Sequence, residues 1–187
     1  MSEWKEHKLS EYLMVNPKIQ TIKGAKYSFI EMGDLDPAYK YVDPSGKRTA
    51  NGLTKFQNGD TLFAKITPCL ENGKIAQARN LESNIGVGST EFFVYRGKEN
   101  ISDNDFIYYL LRSYHVKEYA VRNMTGSAGH QRVPADVFDY LYIKLPDYKE
   151  TIEIGKFLSS LDSKIDLLRR QNQTLENIAQ TLFKRWF

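Results

Sequence analysis

The sequence predicts an α+β protein, with a globular domain over residues 1–147 and one long coiled-coil helix over 148–187. Three observations point there. Before "LPDYKE", short β-branched and aromatic runs are bounded by Gly, Asn, Asp and Pro, as strands and turns are. After it, one helical pattern without proline reaches the last residue. Strands and helices do not alternate regularly, which excludes a doubly wound sheet.

Taken in order, "HKLSEYLM" (7–14) reads as a short helix and "YSFIEM" (27–32) as a strand. Asp36-Pro37 opens a type I turn. Strands follow at "TLFAKI" (61–66) and "KIAQA" (74–78), joined through a turn at Asn72-Gly73. Two more are expected at "FFVY" (92–95) and "YLYIKL" (140–145). Between them a helix is expected from 103 to 122. Ser102 serves as its N-cap with Asp105 three residues on, and Phe106, Ile107, Leu110, Leu111 and Tyr114 form its apolar face. Asp147 and Glu150, directly after Pro146, form a D-x-x-E capping box that starts the last helix.

In that helix Leu158, Leu161, Ile165, Leu168, Asn172, Leu175, Ala179, Leu182 and Trp186 recur at alternating spacings of four and three. With Leu158 at heptad position a and Leu161 at d, the register holds to the end, as in a coiled-coil seam. Some 35 residues extend roughly 50 Å, longer than a domain of this size is wide, so much of the stripe needs a partner. The alternative is a helix lying along its own domain. Orientation stays open. Asn172 at an a position suits a parallel dimer, whereas Lys164 would then face Arg169; an antiparallel pair lets Asp162 meet Arg169.

Hydrophobic residues at 41%, with 13% aromatic, suffice for a core and exclude global disorder. The formal charge of +3 permits a polyanionic partner without arguing for one. The single Cys69 excludes an internal disulfide and any multi-thiolate zinc site, and is expected to be buried and inert. The charged start "MSEWKEHKLS" lacks the apolar stretch of a signal peptide, and no run approaches the roughly 18 apolar residues of a membrane span. A soluble, cytoplasmic protein with no membrane partner is expected.

Catalytic and cofactor motifs are absent. Asp36-Pro37-Ala38-Tyr39 resembles the D-P-P-Y element of DNA amino-methyltransferases but lacks the second proline and any glycine-rich cofactor loop. Gly73-Lys74 is not a P-loop, and Ser89 in "GVGSTEFF" is not a nucleophile elbow, because Glu91 stands where the second glycine belongs. His7, His115 and His130 have no i, i+4 partner or nearby cysteine to hold a metal. No catalytic residue, metal or cofactor is expected.

Local charge says more. Between Arg112 and Arg132 stand Arg112, Lys117, Arg122 and Arg132 against one acid, Glu118, interleaved with Tyr114, Tyr119, Asn123, Ser127 and Gln131. Phosphates are contacted by Arg, Lys and hydroxyls, whereas base edges need Arg for guanine and Asn or Gln for adenine. The candidate nucleic-acid contacts are Lys65, Lys74, Ser89, Thr90, Arg122, Asn123, Ser127, His130, Gln131 and Arg132. Gln131 and Arg132 are the expected base readers; Lys65, Lys74 and Arg122 are expected phosphate contacts. An ordinary solvated helix face with a polar loop is the competing reading.

Four blocks together, "FQNGDTLFAKITPCLENGKIAQ", "GVGSTEFFVYR", "GSAGHQRVPADVFDYLYIKLP" and "LDSKIDLLRRQNQTLENIAQTLFKRWF", resemble the specificity subunit of type I restriction–modification systems, from about residue 4 onward. The resemblance implies a non-catalytic target-recognition domain (1–147) for double-stranded DNA. It also implies a conserved helix (148–187) that dimerises and docks methyltransferase (M) subunits, with a motor/nuclease (R) subunit joining for restriction. Family members carry two such domains, held apart by antiparallel helices, each reading half of a bipartite site. This chain resembles one half. An antiparallel homodimer, or pairing with a second half-subunit, would restore the layout, with half-sites at most about 15 base pairs apart. Two other readings are a small DNA amino-methyltransferase fragment using Asp36 and Tyr39, and a coiled-coil scaffold that never touches DNA.

Overall fold

In the computed structural model, which describes residues 3–127 and 129–186, each run expected to be extended contains a strand. Met1, Ser2, Ala128 and Phe187 lie outside the described residues. The strands are β1 (Lys5–Lys8), β2 (Leu13–Val15), β3 (Lys26–Ile30), β4 (Tyr41–Val42), β5 (Gly46–Thr49), β6 (Thr54–Gln57), β7 (Thr61–Ala64), β8 (Ile75–Ala78), β9 (Ile85–Gly88), β10 (Phe92–Gly97) and β11 (Tyr142–Leu145). The α-helices are α1 (Leu9–Tyr12), α2 (Asn104–Arg112), α3 (Tyr114–Arg122) and α4 (Tyr148–Trp186).

A five-stranded mixed sheet, β2-β10-β7-β8-β4, is the central layer. Its strands are apolar on both faces and therefore divide their side chains between two cores. Phe63, Phe93 and Tyr95 join one core with Phe106, Ile107, Leu111 and Phe138. Leu62, Phe92 and Val94 join the other with Ile30 and Phe56. Helices α2 and α3 thus cover one face of the sheet, and the four-stranded sheet β5-β3-β9-β6 covers the other. The second sheet comes close: a Cβ on Gly86 would meet the Phe56 ring at 2.3 Å, so β9 needs glycine where that ring lies. A third, two-stranded sheet pairs β1 with β11, and Tyr12 donates its hydroxyl to the Pro146 carbonyl at 2.9 Å. The chain's beginning is thereby tied to the start of α4.

Four local expectations need correction. The single helix over 103–122 is two helices, because Ser113 leaves helical geometry (ψ 143°) to end α2 and cap α3. The N-cap of α2 is Asp103, whose carboxylate accepts from Asp105 N at 2.9 Å and Phe106 N at 3.2 Å, while the Ser102 hydroxyl donates to the Tyr12 carbonyl. The stretch 7–14 is helical only over the single turn α1, which lies between β1 and β2. Cys69 is half-buried against the first core.

Helix α4 starts where its capping residues predict, with Asp147 Oδ1 accepting from Glu150 N at 2.9 Å. Its 39 residues make it about 58 Å long. Thr151, Gly155 and Ser159 are the buried residues, so the face against the domain is mostly small and polar, with Ile154 packed at the edge of the first core. Gly155 permits the crossing over α2: a Cβ there would lie 2.4 Å from Asp103 Oδ1 and 3.0 Å from Phe106 N. One turn on, the Lys40 ammonium, wholly buried, donates to Asp105 at 2.7 Å and to Ser159 at 2.5 Å, within 5.4 Å of the ring centroids of Tyr41, Tyr108 and Tyr109. Next, the Tyr109 hydroxyl donates to Asp162, and Arg79 bridges Asp43 and Asp166. From Leu167 to Trp186 the helix is exposed throughout.

Candidate nucleic-acid interface

The stretch "TGSAGHQRVP" folds as a hairpin with a fixed base. Thr125 and Arg132 exchange both backbone hydrogen bonds, at 2.9 and 2.8 Å. Gly126 and Gly129 hold φ of +122° and +81° within the loop, values that side chains beyond Gly rarely adopt. Gly126 also has no room: a Cβ would meet the His130 carbonyl oxygen at 2.9 Å. The outer arm is sewn to the chain after β7. Val133 N donates to the Lys65 carbonyl at 2.8 Å, Thr67 N to the Gln131 carbonyl at 3.1 Å, and Gln131 N to Thr67 Oγ1 at 3.1 Å.

A third segment joins them. Lys65 N donates to the Glu91 carbonyl at 3.0 Å, and Ser89 organises the turn before β10 by accepting from Glu91 N (to Oγ, 3.2 Å) and Phe92 N (to O, 3.2 Å). Lys65, Ser89, Thr90, Gln131 and Arg132, drawn from three separate stretches, are therefore brought to one neighbourhood. Ser127 and His130 are exposed on the hairpin loop.

The Arg132 guanidinium grips Glu91 with two bonds. Hydrogen bonding from Arg132 holds the Glu91 carboxyl below the usual glutamate range against the opposing effect of burial, and the charge of Lys65 adds to it. In the free protein, then, the most exposed candidate base reader already has a carboxylate partner.

Other expected contacts lie elsewhere. Lys74 is turned inward: its ammonium donates to the carbonyls of Met32 at 2.8 Å and Leu35 at 3.2 Å, a structural role that takes it out of the phosphate-contact group. Arg122 pairs with Glu118 at 2.9 Å on the outer side of α3, and Asn123 Nδ2 donates to the Tyr119 carbonyl at 2.8 Å, closing that helix. Arg112 reaches Tyr108 and the Pro37 carbonyl. The basic run 112–132 is thus largely partnered, and its excess charge is less free than the sequence implies. Asp36 makes a turn, accepting from Ala38 N at 2.9 Å and Tyr39 N at 3.1 Å, and Tyr39 lies under Arg169 with 3.6 Å from guanidinium to ring centroid. Asn16, Lys18, Thr54 and Lys55, which no sequence motif marks, border the same cleft as Lys65 and Thr90. Only the folded topology brings them there.

The α4 seam is open. Leu161, Ile165, Leu168, Leu175, Leu182 and Trp186 are all exposed by between 45% and 78%, Asn172 and Ala179 are exposed, and Leu158 is half-buried. In the lone chain Tyr109 donates to Asp162 and Arg169 stacks on Tyr39, so the two residues that an antiparallel pair would bring together both have contacts within their own chain. Among the described residues no cluster of three or more His, Cys, Asp or Glu is arranged for a metal, and no helix is long and apolar enough to cross a membrane.

Comparison with known proteins adds a family. The type I restriction modification DNA specificity domain matches residues 1–177. The specificity subunit of the type I restriction enzyme EcoAI from Escherichia coli is 33% identical over 184 residues, covering 96% of this chain and 31% of the relative. That of HindI from Haemophilus influenzae is 31% identical over 192 residues, covering 100% and 41%. Among solved structures, the HsdS subunit from Thermoanaerobacter tengcongensis superposes with a TM-score of 0.67 at 18% identity, over 90% of this chain and 44% of that one. The type I S subunit from M. genitalium gives 0.52 at 18% identity, over 88% and 40%. The chain spans less than half the length of these relatives. With a family match over nearly its whole length and the same fold in the solved subunits, the chain belongs to the DNA specificity subunits of type I restriction–modification systems.

Proposed function

We propose that this chain is a non-catalytic recognition unit that reads one half of a bipartite DNA target through the hairpin 125–132 and its neighbours. The observation that carries the reading is the assembly of Lys65, Ser89, Thr90, Gln131 and Arg132 around one hairpin whose base is fixed by backbone hydrogen bonds. A fixed base with a glycine-containing tip lets polar side chains approach a groove closely without reordering the domain. Gln131 and Arg132 have the donors and acceptors suited to adenine and guanine edges, while Lys65, Ser89 and Thr90 suit phosphates. Residues 1–147 form the recognition domain and 148–187 the assembly helix.

Helix α4 has its own part in this reading. Its open seam supports pairing with a second copy. An antiparallel arrangement is supported by where the domain sits: it occupies the first half of the helix, so antiparallel pairing sets two recognition domains at opposite ends and lays each free second half beside its partner. Methyltransferase subunits dock on this helical pair, and the motor/nuclease subunit joins them for restriction. Reconstitution with type I methyltransferase subunits and mapping of the methylated positions tests the whole reading. Two inverted half-sites with a fixed spacer are expected; modification at a single undivided site would contradict it.

A further inference from the structure

Three lysines far apart in the chain meet in one cleft. It has a volume of about 480 Å3 and is bordered by Asn16, Lys18, Thr54, Lys55, Lys65 and Thr90. No carboxylate lines it. Each wall is fixed by backbone bonding. Asn16 N donates to the Val94 carbonyl at 2.8 Å and Val94 N to Asn16 Oδ1 at 3.0 Å, which pins the connection from β2 to β10. Lys55 lies on β6 opposite Val87 of β9, and Lys65 N is bound to the Glu91 carbonyl. Among the described residues Lys18 and Lys55 have no ion-pair or hydrogen-bond partner for their ammonium groups, and Lys65 has the Phe93 ring, 5.4 Å from its centroid, and the charge of the neighbouring Glu91 carboxylate.

Gathering three like charges on fixed walls, with only Lys65 near a carboxylate, is unfavourable in the free protein, and a cleft lined by one sign concentrates the opposite one. Lysines with neighbouring Thr54 and Thr90 hydroxyls are the donor set for phosphate oxygens. The cleft also adjoins the hairpin: Lys65 bonds Val133 through its main chain, and Thr90 precedes the Glu91 that holds Arg132. The geometry points to this cleft as the seat of the phosphodiester backbone of the DNA strand beside the hairpin, with Lys18, Lys55 and Lys65 as sequence-independent contacts. This inference rests on the DNA-reading role proposed above.

The test is the salt dependence of binding by the full chain to a random-sequence duplex. Removing one phosphate-binding lysine lowers the slope of log affinity against log salt by about 1, so K18A/K55A/K65A lowers it by about 3. If that triple variant fails to fold, K18A/K55A lowers it by about 2. The control K144A/K149A/K156A, which removes the same charge elsewhere, leaves the slope unchanged. An unchanged slope in the cleft variants, or an equal fall in the control, overturns the cleft assignment while leaving DNA reading intact. A folded wild-type chain that binds no DNA overturns the reading beneath it. Saturable binding of inorganic phosphate to the free chain, abolished in the cleft variants, makes this a small-anion site and also overturns the assignment.

Discussion

Arg132 and Glu91 are joined by two parallel hydrogen bonds, Nε to Oε2 at 3.1 Å and Nη2 to Oε1 at 3.0 Å. The pair lies where the hairpin meets the turn before β10, so the guanidinium best suited to a guanine edge is restrained by a carboxylate until DNA competes for it. Replacing Glu91 with Gln removes a negative charge from the face and frees Arg132. Affinity for random-sequence duplex is expected to rise about three- to tenfold at low salt. Weaker binding in an equilibrium titration would show instead that Glu91 positions Arg132 for DNA.

The polar clamp on α4 makes its docking acid-sensitive. Hydrogen bonding from Arg79 holds the Asp166 carboxyl below its ordinary value of 3.8, outweighing the effect of burial. A depressed carboxylate stabilises the fold above its unfolded value, and that contribution is lost as pH falls through the folded value. D166N is therefore expected to cost roughly 1.5–3 kcal/mol at neutral pH. Its deficit against wild type shrinks toward zero as thermal unfolding is followed downward from pH 3.8. A deficit independent of pH would remove the ionic part of the clamp.

Gly155 marks where the two helices touch. On helix propensity alone Gly155→Ala would stabilise an exposed site by about 1 kcal/mol. Here the added Cβ would lie 2.4 Å from the Asp103 carboxylate that caps α2, so a destabilisation of roughly 1–3 kcal/mol is expected. The sign of the shift in a denaturant midpoint decides between the two.

Leu168 is 45% exposed in the lone chain, so Leu168→Lys leaves the protomer folded. Sedimentation should show dimer for wild type and monomer for the variant, with methyltransferase activation abolished in parallel. An unchanged dimer would place the interface off the seam.

Much of this fold was legible because its local signals agree with its packing. Alternation within "FFVY" divides cleanly between two cores, and Pro146 with Asp147 starts α4 where capping chemistry places it. What escaped has physical causes. Strand β5 is exposed at all four residues and β9 is half glycine, made so by the Phe56 ring at Gly86 and the Ile30 carbonyl at Gly88, so neither carries an apolar pattern. Apart from Ile154 at the edge of the first core, the domain-facing side of α4 is Thr, Gly, Ser and Asp, so hydrophobic periodicity points mainly to the outward seam and is silent about the clamp. In the site, hairpin residues are contiguous and could be read directly. Lys74 could not be told from Lys65 until the fold showed its ammonium capping two inner carbonyls, and Lys18 and Lys55 meet Lys65 only through sheet topology.

The central claim is that the hairpin reads bases. Selection of bound duplexes from a random pool, by wild type and by Q131A/R132A, tests it most directly. Wild type is expected to enrich a defined half-site. The variant should remain dimeric, keep a salt-dependent but weaker affinity for random duplex, and lose discrimination at one or two positions, at a cost of about 1–3 kcal/mol for each bidentate base pairing removed. Enrichment of the same half-site with the same stringency by the variant would contradict the account.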